Sequence, residues 1–167
     1  MKYAALVVGV VLVIAGVASA IFLYQHASVP GQKNPIPPSA FVAFTELASG
    51  TQSSVRARKN YLITSQDELR ELWKLVDVQG PPPTVDFSKQ SVIAVFAGEQ
   101  PTAGYAIAVR RVGDSDATRV VSVEIASPST TCLLTGAPTK PYQVVKLPAT
   151  ALLWTHQDSA TTTSCLR

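Results

Sequence analysis

Apolar positions along this chain follow three patterns in turn: one continuous run, one helical stripe and a series of short β-like segments. The run comes first, with no charged residue from position 3 to position 24. At about 1.5 Å per residue a helix of that length spans about 33 Å, enough for a bilayer core of about 30 Å. It predicts a single transmembrane helix. A cleaved signal peptide is the competing reading, because Lys2 supplies a charged start and Ala18, Ser19 and Ala20 form an A-x-A-like site. Ile21, Phe22, Leu23 and Tyr24 carry the apolar run past that site and end it in an interfacial aromatic. Lys2 and the terminal amine, set against the neutral stretch 25–28, place the N-terminus in the cytoplasm by the positive-inside rule. Residues 1–28 therefore read as a membrane anchor or uncleaved signal. Residues 29–38, with four prolines in ten positions, form a stiff extended linker, and residues 39–167 form a folded domain on the extracytoplasmic side of the cell membrane.

Within that domain one helix is predicted. Ser65 is its N-cap, Glu68 completes a capping box, and Asp67 and Glu68 sit in the first turn, where the helix dipole favours them. Leu69, Leu72, Trp73 and Val76 recur at i, i+3, i+4 and i+7 as one apolar stripe, while Arg70, Glu71 and Lys74 face away. Gly80 and Pro81, Pro82 and Pro83 end the helix. Everything else reads as β. A strand opens with Phe41 to Phe44, a second runs over 55–63 after a turn at Ser49, Gly50 and Thr51, and others cover 92–97, 104–112, 119–125, 142–147 and 151–155. The 92–97 segment is apolar on both parities, as a central strand is. Gly113, Asp114, Ser115 and Asp116 supply a hairpin loop. The fold class is mainly β (α+β): an antiparallel sheet, sandwich or barrel-like, of about seven strands with one packed helix. Antiparallel pairing is expected because parallel pairing needs crossover helices that the pattern lacks.

Composition then removes several functions. At 167 residues, with the first thirty or so outside the folding unit, the chain has room for one domain. Fourteen basic side chains against eleven acidic ones give a nearly balanced surface, and the one dense group, Arg56, Arg58 and Lys59, reads as a solvated strand face. Nucleic-acid binding has no support. The two cysteines, Cys132 and Cys165, both follow the anchor, so in an oxidising compartment they predict a disulfide contributing roughly 3 to 4 kcal/mol; facing the cytoplasm they would be two thiols. Two distant cysteines with His26 and His156 do not make a zinc site, and no metal or other cofactor is expected.

Catalytic motifs are missing as well. There is no G-x-S-x-G elbow and no phosphate-binding glycine loop, and the carboxylates at 67, 68 and 71 serve capping and solvation. An unrecognised hydrolase assembled from His156, Glu99 and a serine is the enzymatic alternative; the reading preferred is that the protein is not an enzyme. One segment invites a function, Gly98-Glu99-Gln100-Pro101-Thr102-Ala103-Gly104-Tyr105, between two predicted strands. Pro101 fixes one φ, Gly104 permits positive φ and Tyr105 presents an amphipathic ring, so the segment is either a hairpin corner or a rigid binding loop.

The runs Asp86-Phe87-Ser88-Lys89-Gln90, Val92 to Gly98, Pro101-Thr102-Ala103-Gly104-Tyr105 and Pro141-Tyr142-Gln143-Val144-Val145-Lys146-Leu147-Pro148 occur in that order. Together, over roughly 62–153, they resemble the C-terminal domain of PrcB, a protease-complex subunit. The usual Pro-Thr-Gly-Gly-Tyr pattern has Ala103 here in place of its first glycine. The resemblance implies an exported, non-catalytic protein partner that helps a protease assemble or persist. Read as a binding loop, the turn supplies Pro101, Thr102, Ala103, Gly104 and Tyr105 as the contact residues. The same turn is similar to the Asn-Pro-Thr-Thr-Gly-Tyr loop of chagasin-type cysteine-protease inhibitors, with Gln100 for Asn and Ala103 for the second Thr. That likeness implies inhibition as the alternative, and a structural envelope protein is a third reading.

Overall fold

A computed structural model describes residues 41–134 and 136–165. Among these residues there are seven strands, β1 (Thr45–Gly50), β2 (Lys59–Ile63), β3 (Gln90–Phe96), β4 (Ala106–Asp114), β5 (Thr118–Pro128), β6 (Tyr142–Pro148) and β7 (Leu153–Thr163), and one helix, α1 (Gln66–Trp73). The strands form two sheets, β1-β6-β3-β2 and β4-β5-β7. They face each other across a shared core. Ile93 and Val95 of β3 and Val145 and Leu147 of β6 meet Ile107, Val109, Val121 and Val123 of the smaller sheet. The arrangement is a sandwich of two sheets and not a closed barrel.

A second core lies on the opposite face of the larger sheet, where Leu69, Leu72, Trp73 and Val76 cover Val92, Ala94, Phe96, Tyr142 and Val144. The predicted stripe is thus a core face. Because side chains alternate across a strand, β3 sends Val92, Ala94 and Phe96 to the helix and Ile93 and Val95 to the other sheet. That is why its sequence is apolar on both parities. At the helix start the Ser65 hydroxyl accepts from the Glu68 N–H at 3.2 Å. The Glu68 carboxylate reaches back to the Thr64 N–H at 2.7 Å, one residue beyond the position that a capping box uses. The helix ends at Trp73, and the Trp73 indole donates to the Gly80 carbonyl at 3.2 Å. Gln66 brackets the proline strap, donating to the Pro83 carbonyl and accepting from the Val85 N–H, both at 3.1 Å.

Several expectations are corrected. The segment 41–44 is not a strand: Phe41 makes an isolated bridge to Gly113, the Val42 N–H bonds to the Val112 carbonyl at 2.9 Å, and Val42 and Phe44 cover the inter-sheet core. Ser49 and Gly50 belong to β1 and not to a turn; Gly50 lies against the Tyr142 ring, which leaves no room for a Cβ. The second strand starts only at Lys59. Upstream of it Arg58 is half-buried, donating to both carboxylate oxygens of Asp158 at 2.9 and 2.8 Å, so it ties the larger sheet to β7 and is no solvated strand residue. The hairpin between β4 and β5 turns over Ser115 to Ala117, with Gly113 and Asp114 inside β4.

Pairing is not purely antiparallel. β5 and β7 run parallel over eleven positions, Thr118↔Leu153 to Pro128↔Thr163. A parallel connection requires a crossover, and here β6, in the opposite sheet, takes the place a helix holds in βαβ units. Strand β7 also continues to Thr163, well beyond the predicted end at 155. Among the described residues no helix is long and apolar enough to cross a membrane; the run 3–24 and the linker 29–38 lie outside them.

Candidate functional site

The segment 98–105 joins β3 to β4, which belong to different sheets, so it is an inter-sheet crossing and not a hairpin corner. Its geometry begins at Gly98, with φ +79°, where a Cβ would stand 2.8 Å from the Arg56 carbonyl oxygen and 2.9 Å from the Ala57 carbonyl carbon. Only glycine fits both the backbone angle and the space. Glu99 N–H then donates to the same Arg56 carbonyl at 2.9 Å. Gln100 and Thr139 exchange two backbone hydrogen bonds, of 2.7 and 3.0 Å, and the Thr139 hydroxyl donates to the Thr102 carbonyl at 2.9 Å. Thr139 is buried, so this staple works away from water.

Past the staple, Pro101 is exposed, Thr102 and Ala103 are half-buried, and Gly104 adopts φ +86°. The positive φ is the one expected from sequence. A Cβ at Gly104 would lie 3.0 Å from the Pro128 Cβ and 3.4 Å from a Leu134 methyl, which shows how closely the crossing rests on the end of β5 and the segment that follows it. Tyr105, half-buried, leads into β4. The five predicted contact residues therefore stay together on one crossing fixed at both ends.

The segment after β5 is itself tied down. Cys132 and Cys165 form a disulfide with their Cα atoms 5.7 Å apart, and Ser129 N–H donates to the Thr163 carbonyl at 2.9 Å. The predicted bond thus joins the 128–134 segment to the end of β7. Beside it Leu134 is exposed, and Leu133 is fully exposed at 103%. Sequence reasoning missed both leucines, together with Pro128 and Thr139. The available signal was two adjacent apolar residues between Ser129-Thr130-Thr131 and Gly136, a stretch with no strand or helix period to bury them.

Electrostatically the crossing is quiet. Arg56 and Glu99 pair at 3.4 Å in solvent, a contact of little energetic weight. The perturbed ionisable groups lie elsewhere and have structural causes. The Thr64 N–H lowers the Glu68 carboxyl, the Ser88 hydroxyl lowers Asp86, the Arg119 guanidinium lowers Asp114, and burial raises the Tyr142 phenol. His156 faces a cavity of about 190 Å³ between β2 and β7, lined by Asn60, Leu62, Val121 and Trp154 among others, with neither Glu99 nor a serine on its walls. Among the described residues no three His, Cys, Asp or Glu side chains are grouped to hold a metal ion. What the crossing offers is a preorganised surface of backbone, one proline, one tyrosine and two exposed leucines.

Comparison with curated proteins and with solved structures finds no match. The PrcB C-terminal family model matches residues 91–148, a span narrower at each end than the resemblance read from sequence, so the 86–90 motif falls outside it. The matched stretch runs from β3 to the end of β6 and holds the crossing, the staple residue Thr139 and most of the inter-sheet core. Over that stretch the chain carries the PrcB C-terminal pattern.

Proposed function

We propose that this chain is a non-catalytic protein-binding module of the PrcB kind, tethered to the extracytoplasmic face of the membrane by its N-terminal segment and assisting or stabilising a protease complex. The observation that carries the reading is the pinned crossing 98–105 beside exposed Leu133 and Leu134. A loop already held in one shape loses little entropy on association, and an exposed leucine at its flank is the kind of side chain that a partner pocket can desolvate. The Cys132–Cys165 bond supports an oxidising location. Inhibition by insertion into a protease cleft is the weaker reading, because the staple to Thr139 and the contact of Gly104 with Pro128 hold the crossing against the body.

The test is crosslinking of the full chain in intact cells, followed by mass spectrometry. Leu133→Asp and Tyr105→Ala are each expected to reduce capture of one reproducible protein about tenfold or more, with the unfolding midpoint unchanged. Equal capture by both variants sinks the proposal. Stoichiometric inhibition of a papain-type protease by the full chain would put the inhibitor reading ahead.

A further inference from the structure

The two sheets end in four edge strands, β1, β2, β4 and β7, and the first three are blunted. Strand β1 carries a register shift between Glu46 and Ala48, and β2 is five residues long and opens on Lys59. Strand β4 carries a shift between Val109 and Arg111 and is covered at Val112 and Gly113 by Val42 and Phe41. A bulge, a lysine, a short run or a covering segment is what keeps an edge from pairing with another chain. Strand β7 has none of these. It runs eleven residues without proline or lysine, its pairing with β5 is in unbroken register, and among the described residues no other strand pairs with it. Its single charged carboxylate, Asp158, is already held by Arg58.

Two hydrogen bonds fix which positions offer the edge. Leu153 N–H donates to the Ala117 carbonyl at 3.1 Å, and the Thr163 carbonyl accepts from Ser129 N–H at 2.9 Å, so the odd-numbered residues turn their backbone groups toward β5. Trp154, His156, Asp158, Ala160 and Thr162 therefore turn theirs outward. Their side chains share the inner face of the strand, where Trp154 packs on the inter-sheet core and Asp158 meets Arg58.

A second copy of the same edge matches it. Antiparallel pairing about a two-fold axis at Gln157 sets His156 opposite Asp158 of the other copy, and the symmetry makes that contact twice. An imidazole N–H then faces a carboxylate whose two bonds from Arg58 leave acceptor sites open. The same register sets Thr155 against Ser159, Trp154 against Ala160, and Leu153, which is 72% exposed, against Thr161. Its four outward-facing pairs exchange about eight backbone hydrogen bonds. An axis at Asp158 instead opposes two carboxylates, and one at Ser159 sets the carboxylate against the Ala160 methyl. An unrelated strand would meet the backbone equally well but would lack the reciprocal His156–Asp158 contacts. We propose that β7 is a homodimer edge, joining the three-stranded sheets of two copies into one continuous sheet through the register centred on Gln157. This surface is separate from the crossing 98–105 and does not rest on the function proposed for it.

The test uses the purified full chain with its Cys132–Cys165 bond intact, single cysteine substitutions on the outer face of β7, mild oxidation and non-reducing electrophoresis. Residues opposed without backbone bonds stand about 4.5 Å apart at Cα, within reach of a disulfide. Gln157→Cys is expected to crosslink to itself at least tenfold more than Thr155→Cys or Ser159→Cys alone, each of which lies about 13 Å along the strand from its own counterpart. Mixing Thr155→Cys with Ser159→Cys should restore the bond. His156→Asp in the Gln157→Cys chain, checked for an unchanged unfolding midpoint, is expected to lower crosslinking at least fivefold, because it sets a carboxylate against Asp158 in both contacts. Tyr105→Ala should leave crosslinking unchanged, so this surface and the crossing stand or fall separately. No crosslink at millimolar protein, equal crosslinking by the three cysteine variants, or indifference to His156→Asp overturns the proposal. So does a preferred disulfide between Gln157→Cys and a different protein in intact cells, which would give the edge to another partner.

Discussion

Strands β3 and β7 both lie in ladders of regular hydrogen bonds, yet they are held by different physics. Six of the seven residues of β3 are buried, and the strand has a core on each face. Nine of the eleven residues of β7 are exposed, and it pairs only with β5. β3 is stabilised by apolar area removed from water. β7 depends on backbone pairing, on the Arg58–Asp158 clamp, on Trp154 beneath the Arg119 guanidinium, and on the disulfide that closes just past its end. A buried strand is thus specified by its own side chains, and an exposed one by the partners brought to it.

The largest effect should come from emptying the doubly buried strand. Phe96 is fully buried between the Tyr61 and Tyr142 rings, at centroid distances of 5.7 and 6.1 Å. Phe96→Ala is expected to cost about 3 to 5 kcal/mol in urea unfolding of the full chain. A cost below about 1 kcal/mol would mean that β3 is not the keystone described.

For β7 the corresponding change is covalent. Replacing both Cys132 and Cys165 with serine should cost about 3 kcal/mol, with hydrogen exchange rising first in β7 and in the 128–134 segment while β3 amides stay protected. Uniform loss of protection across both sheets would erase the distinction between the two strands.

The smallest effect concerns the ion pair near the start of β7. Asp114 receives two hydrogen bonds from Arg119, at 2.6 and 2.7 Å, and the Arg119 side chain is 4% exposed and also donates to the Pro148 carbonyl. Those bonds hold the Asp114 carboxyl below the usual carboxylate range. A depressed folded value means that the stabilisation is present above the unfolded value of about 3.9 and disappears as pH falls through the lower folded value. Asp114→Asn should therefore cost about 2 kcal/mol near neutral pH. The difference from the unsubstituted protein should shrink only below about pH 4. A difference that instead vanished on raising the pH would contradict the pairing.

Much of the fold could be read because burial writes itself into periodicity. The two-sided β3, the α1 stripe with its Ser65 cap and the β4–β5 hairpin all have side chains whose spacing states where they point. The stretch of β7 from His156 to Thr163 has no such spacing, since all its residues but Ala160 are polar and its order comes from a neighbour 35 positions away, as in His156 against Val121. The candidate crossing was legible in its turn chemistry, in Pro101 and in the positive φ of Gly104. Its setting was not: the Thr139 staple, the Pro128 contact and exposed Leu133 come from segments that nothing local connects to positions 98–105.

Short-range rules of backbone and side chain thus decided, within the sequence, the mainly β class, the α1 stripe with its cap and the residues of the crossing. The tertiary structure alone decided the division into two sheets, the parallel β5–β7 pair and the contact of the crossing with Pro128 and Leu134. Hydrogen-bond ladders and core contacts join residues far apart in the chain, and no local pattern encodes which distant edge a strand will meet.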